Sequence, residues 1–258
     1  MNKALASIII TNYNKKNFIK NTIKSAKNQN YKNKEIIVYD DRSFDGSLNI
    51  IKKFKTIKLI INKNIKKSSS PLNQINAITK CFEKSRGNYI FLLDGDDQFK
   101  INKLSTIISL FKKNKKINMI QDKPYLRKKK RILNLKLKKH SFSIWPSVYP
   151  TSCIALRRKF FLKYLKYLKK NEFPNLEIDS RLVIYSFLTN NLNIIHKSLT
   201  IYNYDNLGIT SNYKKFSLSW WKKRFEAFEY FKYLSNRLNV KFKKGPDYYL
   251  TVLINKLL

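Results

Sequence analysis

Along the first 120 positions, short continuous apolar runs alternate with longer stretches of helical spacing. The continuous runs at 6–10, 35–39, 57–61, 89–93 and 117–120 predict five short strands. Between them, residues 17–28, 45–54, 71–86 and 104–111 carry apolar positions three and four apart, which predicts amphipathic helices. In the third of these, Leu72, Ile75, Ile78 and Phe82 share a face, and Asp45 stands where an N-cap would open the second. Strands apolar throughout, alternating with helices, predict an α/β fold whose parallel sheet is covered on both faces. The rhythm breaks after 121. Helices are expected at 157–168, 177–188, 218–234 and 248–257, with one or two strands over 194–204. The chain thus divides into a first half, 1–121, a second half of the same domain, 122–212, and a C-terminal helical extension, 213–258.

With 258 residues, 43% of them hydrophobic, the chain can bury a sizeable core without cross-links. Its charge is unusual: 54 Lys and Arg against 16 Asp and Glu, a net +38. Nucleic acid, an anionic surface or compositional drift could each account for this. Lys outnumbers Arg 45 to 9, and Asn and Ile are also abundant, as A/T-rich codons would produce. Arg, the better reader of phosphates and base edges, is not the enriched residue, so drift ranks ahead of nucleic acid, which stays as the less favoured alternative. The two cysteines, Cys81 and Cys153, and two histidines, His140 and His196, exclude a disulfide framework and a Cys/His zinc cluster, and all four read as structural. The five glycines, at 46, 87, 95, 208 and 245, are too scattered for either Gly-rich phosphate loop. No apolar run approaches the ~18 residues of a spanning helix. The first ten residues lead into a strand with no room for a signal peptide, so a cytoplasmic location is expected.

In so basic a chain the placement of the acids is informative. Eight of the 16 lie in three short segments: Asp40, Asp41 and Asp45; Asp94, Asp96 and Asp97; Glu177 and Asp179. The first two segments follow predicted strands, as does the 11–14 segment, Thr-Asn-Tyr-Asn. In an open parallel sheet these strand ends share the edge where ligands bind. A D-x-D pair at a strand end suits a hard divalent cation, which takes oxygen ligands and keeps water and substrate phosphates as the rest. A turn with capping carboxylates is the plain alternative, although three carboxylates within four residues repel unless a cation compensates. Asp40 and Asp41 could cap a helix, or one could accept the ring N–H of a nucleobase, with Thr11 beside it and the Tyr13 ring as a stacking face.

The segments SIIITNYNKKNF, EIIVYDDRSFDGS and GNYIFLLDGDDQF, in this order and rough spacing, resemble the family 2 glycosyltransferases of the GT-A fold. Those enzymes commonly read T-x-Y-N, V-D-D-x-S-x-D and G-x-Y-I-x-x-L-D-x-D-D. The resemblance spans roughly the first 100 residues. It implies a Rossmann-like, mostly parallel sheet with helices on both faces, followed by an acceptor-side helical extension. It also implies a nucleoside, with uridine expected, held by Thr11, Tyr13, Asp40, Asp41 and Asp94, and Mg²⁺ or Mn²⁺ held by Asp94 and Asp96. The family's catalytic carboxylate often stands in E-D-x-x-L. The best match here is Asn175-Leu-Glu-Ile-Asp179-Ser-Arg-Leu182, which nominates Asp179 as base with Glu177 displaced by one position. An acid-enriched helix start is the plain alternative.

The resemblance implies an inverting, metal-dependent transfer of a sugar from a nucleotide-sugar donor to a hydroxyl acceptor, in cell-envelope glycan or glycolipid synthesis. Two departures matter. Where many relatives read Tyr-Arg-x-His, this chain has Tyr202-Asn203-Tyr204-Asp205, which leaves a nucleotide-binding homologue without turnover as the competing reading. The Gln-x-x-Arg-Trp signature of processive synthases is absent, so a non-processive enzyme is expected. From 123 to 171 there are 16 basic residues and no acidic one, where an acceptor should dock. This hints at an anionic acceptor, a lipid-linked phosphate or an acidic glycan. The stripe Leu218, Trp221, Phe225 and Phe228 either packs on the domain or lies at an anionic membrane surface, with Lys222, Lys223 and Arg224 near the headgroups.

Overall fold

A computed structural model describes residues 4–64, 69–133, 145–203 and 213–257. His140, Gly208 and the Tyr204-Asp205 pair lie outside the described residues. The first half contains β1 (Ala6–Asn12), α1 (Lys16–Lys27), β2 (Lys34–Asp40), α2 (Ser47–Lys52), β3 (Lys58–Ile61), α3 (Ser70–Lys84), β4 (Tyr89–Asp94), β5 (Gln98–Phe99), α4 (Lys103–Lys113) and β6 (Met119–Gln121). There follow β7 (Pro124–Leu126), β8 (Arg131–Ile132), β9 (Ile154–Arg157), α5 (Arg158–Leu165), α6 (Ile178–Leu188), β10 (Leu192–Ile194), β11 (Thr200–Tyr202), α7 (Leu218–Arg237) and α8 (Pro246–Leu257).

Seven strands form the main sheet in the order β10-β6-β9-β4-β1-β2-β3. All neighbouring pairs are parallel except those of β9, which runs antiparallel to both β4 and β6. The mostly parallel α/β architecture expected from the pattern is present. The reversed strand was not expected, because three apolar residues and an arginine ahead of a helix report neither a strand nor its direction. The alternation along β1 shows how the layers are built. Ile8 and Ile10 face α1 and α4, in a core with Ile19, Ile23, Leu104, Ile107 and Phe111. Ile9 points the other way, into a core with Ile75 and Ile78 of α3 and Leu182 and Val183 of α6. Tyr230, Phe231 and Leu234 of α7 close that second core, so the C-terminal half of α7 is packed on the domain.

Three further expectations change. The second helix begins at Ser47, not 45, with Gly46 in the cap position at φ 89°, a conformation that favours glycine. Asp45 still satisfies helix-end donors, but from outside: its carboxylate accepts from the N–H groups of Ser47 (2.9 Å) and Lys16 (2.7 Å). The 194–204 segment separates into β10 and β11, which belong to different sheets. β11 joins a second, four-stranded sheet, β5-β11-β7-β8, whose two- and three-residue strands are too short to leave a periodic signal. The loop before α6 is held by Arg181. Its fully buried guanidinium donates to the carbonyls of Leu168, Lys169, Glu172, Phe173 and Leu176.

Candidate functional site

Register assembles the site. In the parallel ladder Thr11 pairs with Asp94 on one side and with Tyr39 on the other, and Asn12 pairs with Asp40. The C-terminal ends of β1, β2 and β4 therefore open on one edge, into a cleft of about 640 Å³. Thr11, Tyr13, Asp41, Asp94, Asp96 and Asp179 all line it. The structure thus brings together residues that the chain separates by up to 168 positions.

Asp40 is the exception. It is fully buried and does not reach the cleft wall. One oxygen accepts from Asn12 Nδ2 (2.7 Å) and the other from the Ser43 N–H (2.9 Å), so its carboxylate braces the β2–α2 loop, not a nucleoside. Asp41 faces the cleft with one oxygen fixed by Asn62 Nδ2 at 2.7 Å. Tyr13 is 40% exposed at the mouth, its ring edge-on to Phe44 at 6.3 Å.

The D-x-D turn divides its three carboxylates among three tasks. Asp94 Oδ1 accepts from Thr11 Oγ1 (3.0 Å) and Gln74 Nε2 (2.8 Å). Burial, reinforced by the charge of Asp96, pushes its pKa up to about 6 against those two hydrogen bonds and Lys15. Asp96 pairs with the Lys15 ammonium at 2.5 Å. Asp97 turns inward, accepting from Ser152 Oγ (2.5 Å) and from the Asn203 N–H (2.8 Å), and burial raises its pKa well above the usual carboxylate range. Gly95 between them is required by space. A Cβ there would lie 2.9 Å from the Thr11 carbonyl oxygen and 3.0 Å from Asn12 Oδ1.

Ser152, just ahead of β9, is the residue that sequence reasoning missed most completely. Its hydroxyl also accepts from the Asp94 N–H (3.0 Å), and its carbonyl accepts from the buried Lys103 Nζ (2.6 Å). Lys103 in turn pairs with Asp122 at 2.7 Å, with no exposure on either side chain. The turn is thus braced from the strand that runs the wrong way in the sheet. No local pattern marks a serine for this task.

Across the cleft, Asp179 opens the first turn of α6, half-buried. Burial, then the Glu177 charge, push its pKa up to about 7, while Lys223 and the Ser180 N–H pull it down. Glu177 is buried and ion-paired with Lys223 through one oxygen, and its second oxygen has no hydrogen-bond partner among the described residues. Lys15, Lys129, Arg131 and Lys223 complete the lining with positive charge, Lys129 and Arg131 coming from the turn and strand of the small sheet. They are cations where the Tyr202-Asn203 segment offers none.

Among the described residues no three His, Cys, Asp or Glu side chains converge as a ready-made metal cage. Asp94 and Asp96 nonetheless fit a Mg²⁺ or Mn²⁺ ion, which needs one or two carboxylates when phosphates and water supply the rest. The short ion pair at Asp96 shows that positive charge is already accommodated at that carboxylate.

The model of the family described as glycosyl transferase family 2 matches residues 7–165, a span that takes in the D-x-D turn and stops short of Asp179, α7 and α8. The chain is 40% identical over 113 residues to the UDP-Glc:alpha-D-GlcNAc-diphosphoundecaprenol beta-1,3-glucosyltransferase WfaP of Escherichia coli, covering 43% of each chain. It is 29% identical over 175 residues to the cholesterol galactosyltransferase of Borreliella burgdorferi, covering 66% of this chain and 46% of that one. It therefore spans less than half the length of these curated relatives. Among solved structures, S. aureus TarS 1-349 in complex with UDP-GlcNAc superimposes with a TM-score of 0.62 at 14% identity, covering 93% of this chain and 68% of that one. The mannosyltransferase PcManGT from Pyrobaculum calidifontis, in complex with GDP-Man and Mn²⁺, gives 0.60 at 12% identity, covering 95% and 66%. At such identities these two establish the fold alone.

Proposed function

This chain belongs to glycosyltransferase family 2, and on that footing we propose an inverting, metal-dependent enzyme that transfers a sugar from a UDP-sugar to a hydroxyl of an anionic, lipid-linked acceptor in envelope glycan or glycolipid synthesis. The observation that carries this reading is the placement of two carboxylate sets on different elements of one cleft. The D-x-D turn comes from the end of β4, and Asp179 comes from α6. Inversion needs a base on the face of the sugar opposite the leaving group, which such a separation supplies.

In this reading the Tyr13 ring stacks on the base and Asp41, held by Asn62, accepts its ring N–H. Asp94 and Asp96 hold the divalent ion, which when bound supplies charge compensation to the departing diphosphate. Lys15, Lys129 and Arg131 add fixed positive charge beside the phosphates. Asp179 takes the proton of the attacking hydroxyl. A carboxylate at about 7 is about half ionised at neutral pH and far more basic than an ordinary aspartate, which places it near the operating pH as a general base requires. The acceptor assignment is supported by the basic cleft wall and by the diphosphoundecaprenol in the name of one relative, while the cholesterol in the name of the other supports a lipid acceptor alone.

The test is thermal stabilisation by UDP and GDP with Mn²⁺ or with EDTA, on the wild type and Asp96→Ala, followed by donor turnover. UDP should stabilise the wild type only with Mn²⁺, and Asp96→Ala should lose that effect. Stabilisation by GDP alone would overturn the base, and an equal effect in EDTA would overturn the metal. Donor binding without transfer or hydrolysis would favour the homologue that binds without turnover.

A further inference from the structure

The last helix is inside out. The two buried residues of α8 are polar, although Tyr248 beside them also sets its ring edge-on to Phe228 and Phe242. Asp247 and Thr251 are buried, and both accept from the Arg224 guanidinium, at 2.6 and 3.0 Å. Asn255 Nδ2 donates to the Trp221 carbonyl at 3.2 Å. The residues turned to solvent are apolar: Tyr249 is 60% exposed, Leu250 46%, Leu253 55% and Leu257 78%. At ~100° per residue these four fall within an arc of about 100°, roughly opposite the polar trio. A helix that attaches largely through hydrogen bonds and presents its leucines outward has an apolar stripe without a partner among the described residues.

The surroundings say what that partner is. The α8 C-terminal turn lies beside the first turns of α7, where Phe216 is 64% and Leu218 60% exposed, and where Phe216, Trp220 and Trp221 stack edge-on within 6.3 Å of one another. Over residues 213–257 there are eleven Lys and Arg and three Asp and Glu. Asp247 is taken up by Arg224 and Glu226 by Asn175, while Lys214, Lys215, Lys222, Lys243, Lys244 and Lys256 are exposed. Leucines flanked by aromatic rings and lysines are the composition of a helix lying in the headgroup layer of an anionic bilayer. A basic protein partner is disfavoured by this charge. No described helix is long and apolar enough to cross a membrane.

We propose that α8, with the first turn of α7, docks this protein on an anionic lipid surface through Tyr249, Leu250, Leu253 and Leu257. Lys223, one residue ahead of Arg224 on α7, lines the cleft, so the docking helix and the cleft share one element of the fold. The docking itself needs neither donor nor turnover and stands or falls apart from the transfer reaction.

The test is co-sedimentation of the full chain with vesicles of phosphatidylcholine alone or with about a third phosphatidylglycerol, in parallel with sedimentation velocity without lipid. Leu250→Asp/Leu253→Asp serves as the variant, because both side chains are exposed and outside the cleft. The wild type should pellet with the anionic vesicles, be released as salt rises, and stay in solution with phosphatidylcholine alone. The variant should keep the thermal midpoint and lose at least about tenfold in partition. Three results would overturn the proposal: wild type that remains in solution with anionic vesicles, a variant that pellets like the wild type, or a wild-type dimer that the variant dissociates while neither binds lipid. The last would assign the face to a second copy of the chain.

Discussion

Replacing Asp179 by Asn should make the protein less active and more stable, and the stability gain should depend on pH. The folded protein holds the Asp179 proton more tightly than the unfolded chain, with a pKa of about 7 against the ordinary 3.8. As pH rises from 4 to 7 the unfolded chain releases this proton first, so the carboxylate progressively destabilises the fold, and the cost levels off above 7. At 1.36 kcal/mol per tenfold the ceiling is about 4 kcal/mol. Asp179 opens onto the cleft, and water there screens it, so about 1–2 kcal/mol is the expected cost. Asn keeps the acceptor for the Ser180 N–H, which now lies 2.6 Å from Oδ1, and removes the charge. For 258 residues the unfolding entropy is about 0.5 kcal/mol per degree, so the midpoint of Asp179→Asn should exceed that of the wild type by about 2–4 °C at pH 8. The assay is thermal unfolding of both proteins from pH 4 to 8.5 without donor or metal, beside transfer rates at pH 7.5. The gap should widen between pH 4 and 7 and then stay flat, while transfer falls by about 10²–10⁴. A gap independent of pH, or a variant less stable at pH 8, would refute the view that a strained carboxylate is kept here for chemistry.

Donor binding should also weaken below pH 6, because Asp94, raised to about 6, takes up a proton there and ceases to be an ionic ligand; Mn²⁺-dependent UDP affinity measured by calorimetry between pH 5 and 8 checks this. Gly95→Ala should cost about 1–3 kcal/mol and depress donor affinity together, since its Cβ would press on the Thr11 carbonyl at 2.9 Å. A stable variant with unchanged UDP binding would show the turn to be more pliable than the close approach implies. Arg181→Met should lower stability by about 3–5 kcal/mol, because five main-chain carbonyls lose their charged donor at once; chemical denaturation reads it directly.

Five of the six strands and the four helices of the first half were legible because each is marked by a pattern contained within the element itself. The acidic segments were legible for a related reason. In a chain carrying 54 basic residues, carboxylates clustered at strand ends stand out, and parallel-sheet topology sends strand ends to one edge. The short strands were not legible. β9 is three apolar residues and an arginine before a helix, and its antiparallel direction is set by β4 and β6, which come much earlier in the chain. The separate tasks of neighbouring acids were hidden as well. Asp40 braces a loop while Asp41 faces the cleft, and Asp97 turns inward while Asp94 and Asp96 face out.

The sequence by itself determined the alternating layers, the family and the three segments that meet at the cleft, since these follow from local periodicity and from motifs a few residues long. Tertiary structure alone decided which carboxylate points where. Asp97 is turned by Ser152, 55 residues away, and by Asn203, 106 residues away, and neither donor leaves a mark near the motif it serves. The same holds for α8. Its helical spacing is visible in the sequence, but which side meets the protein depends on where Arg224 stands. That arginine draws the polar side inward, and the leucines are left facing out.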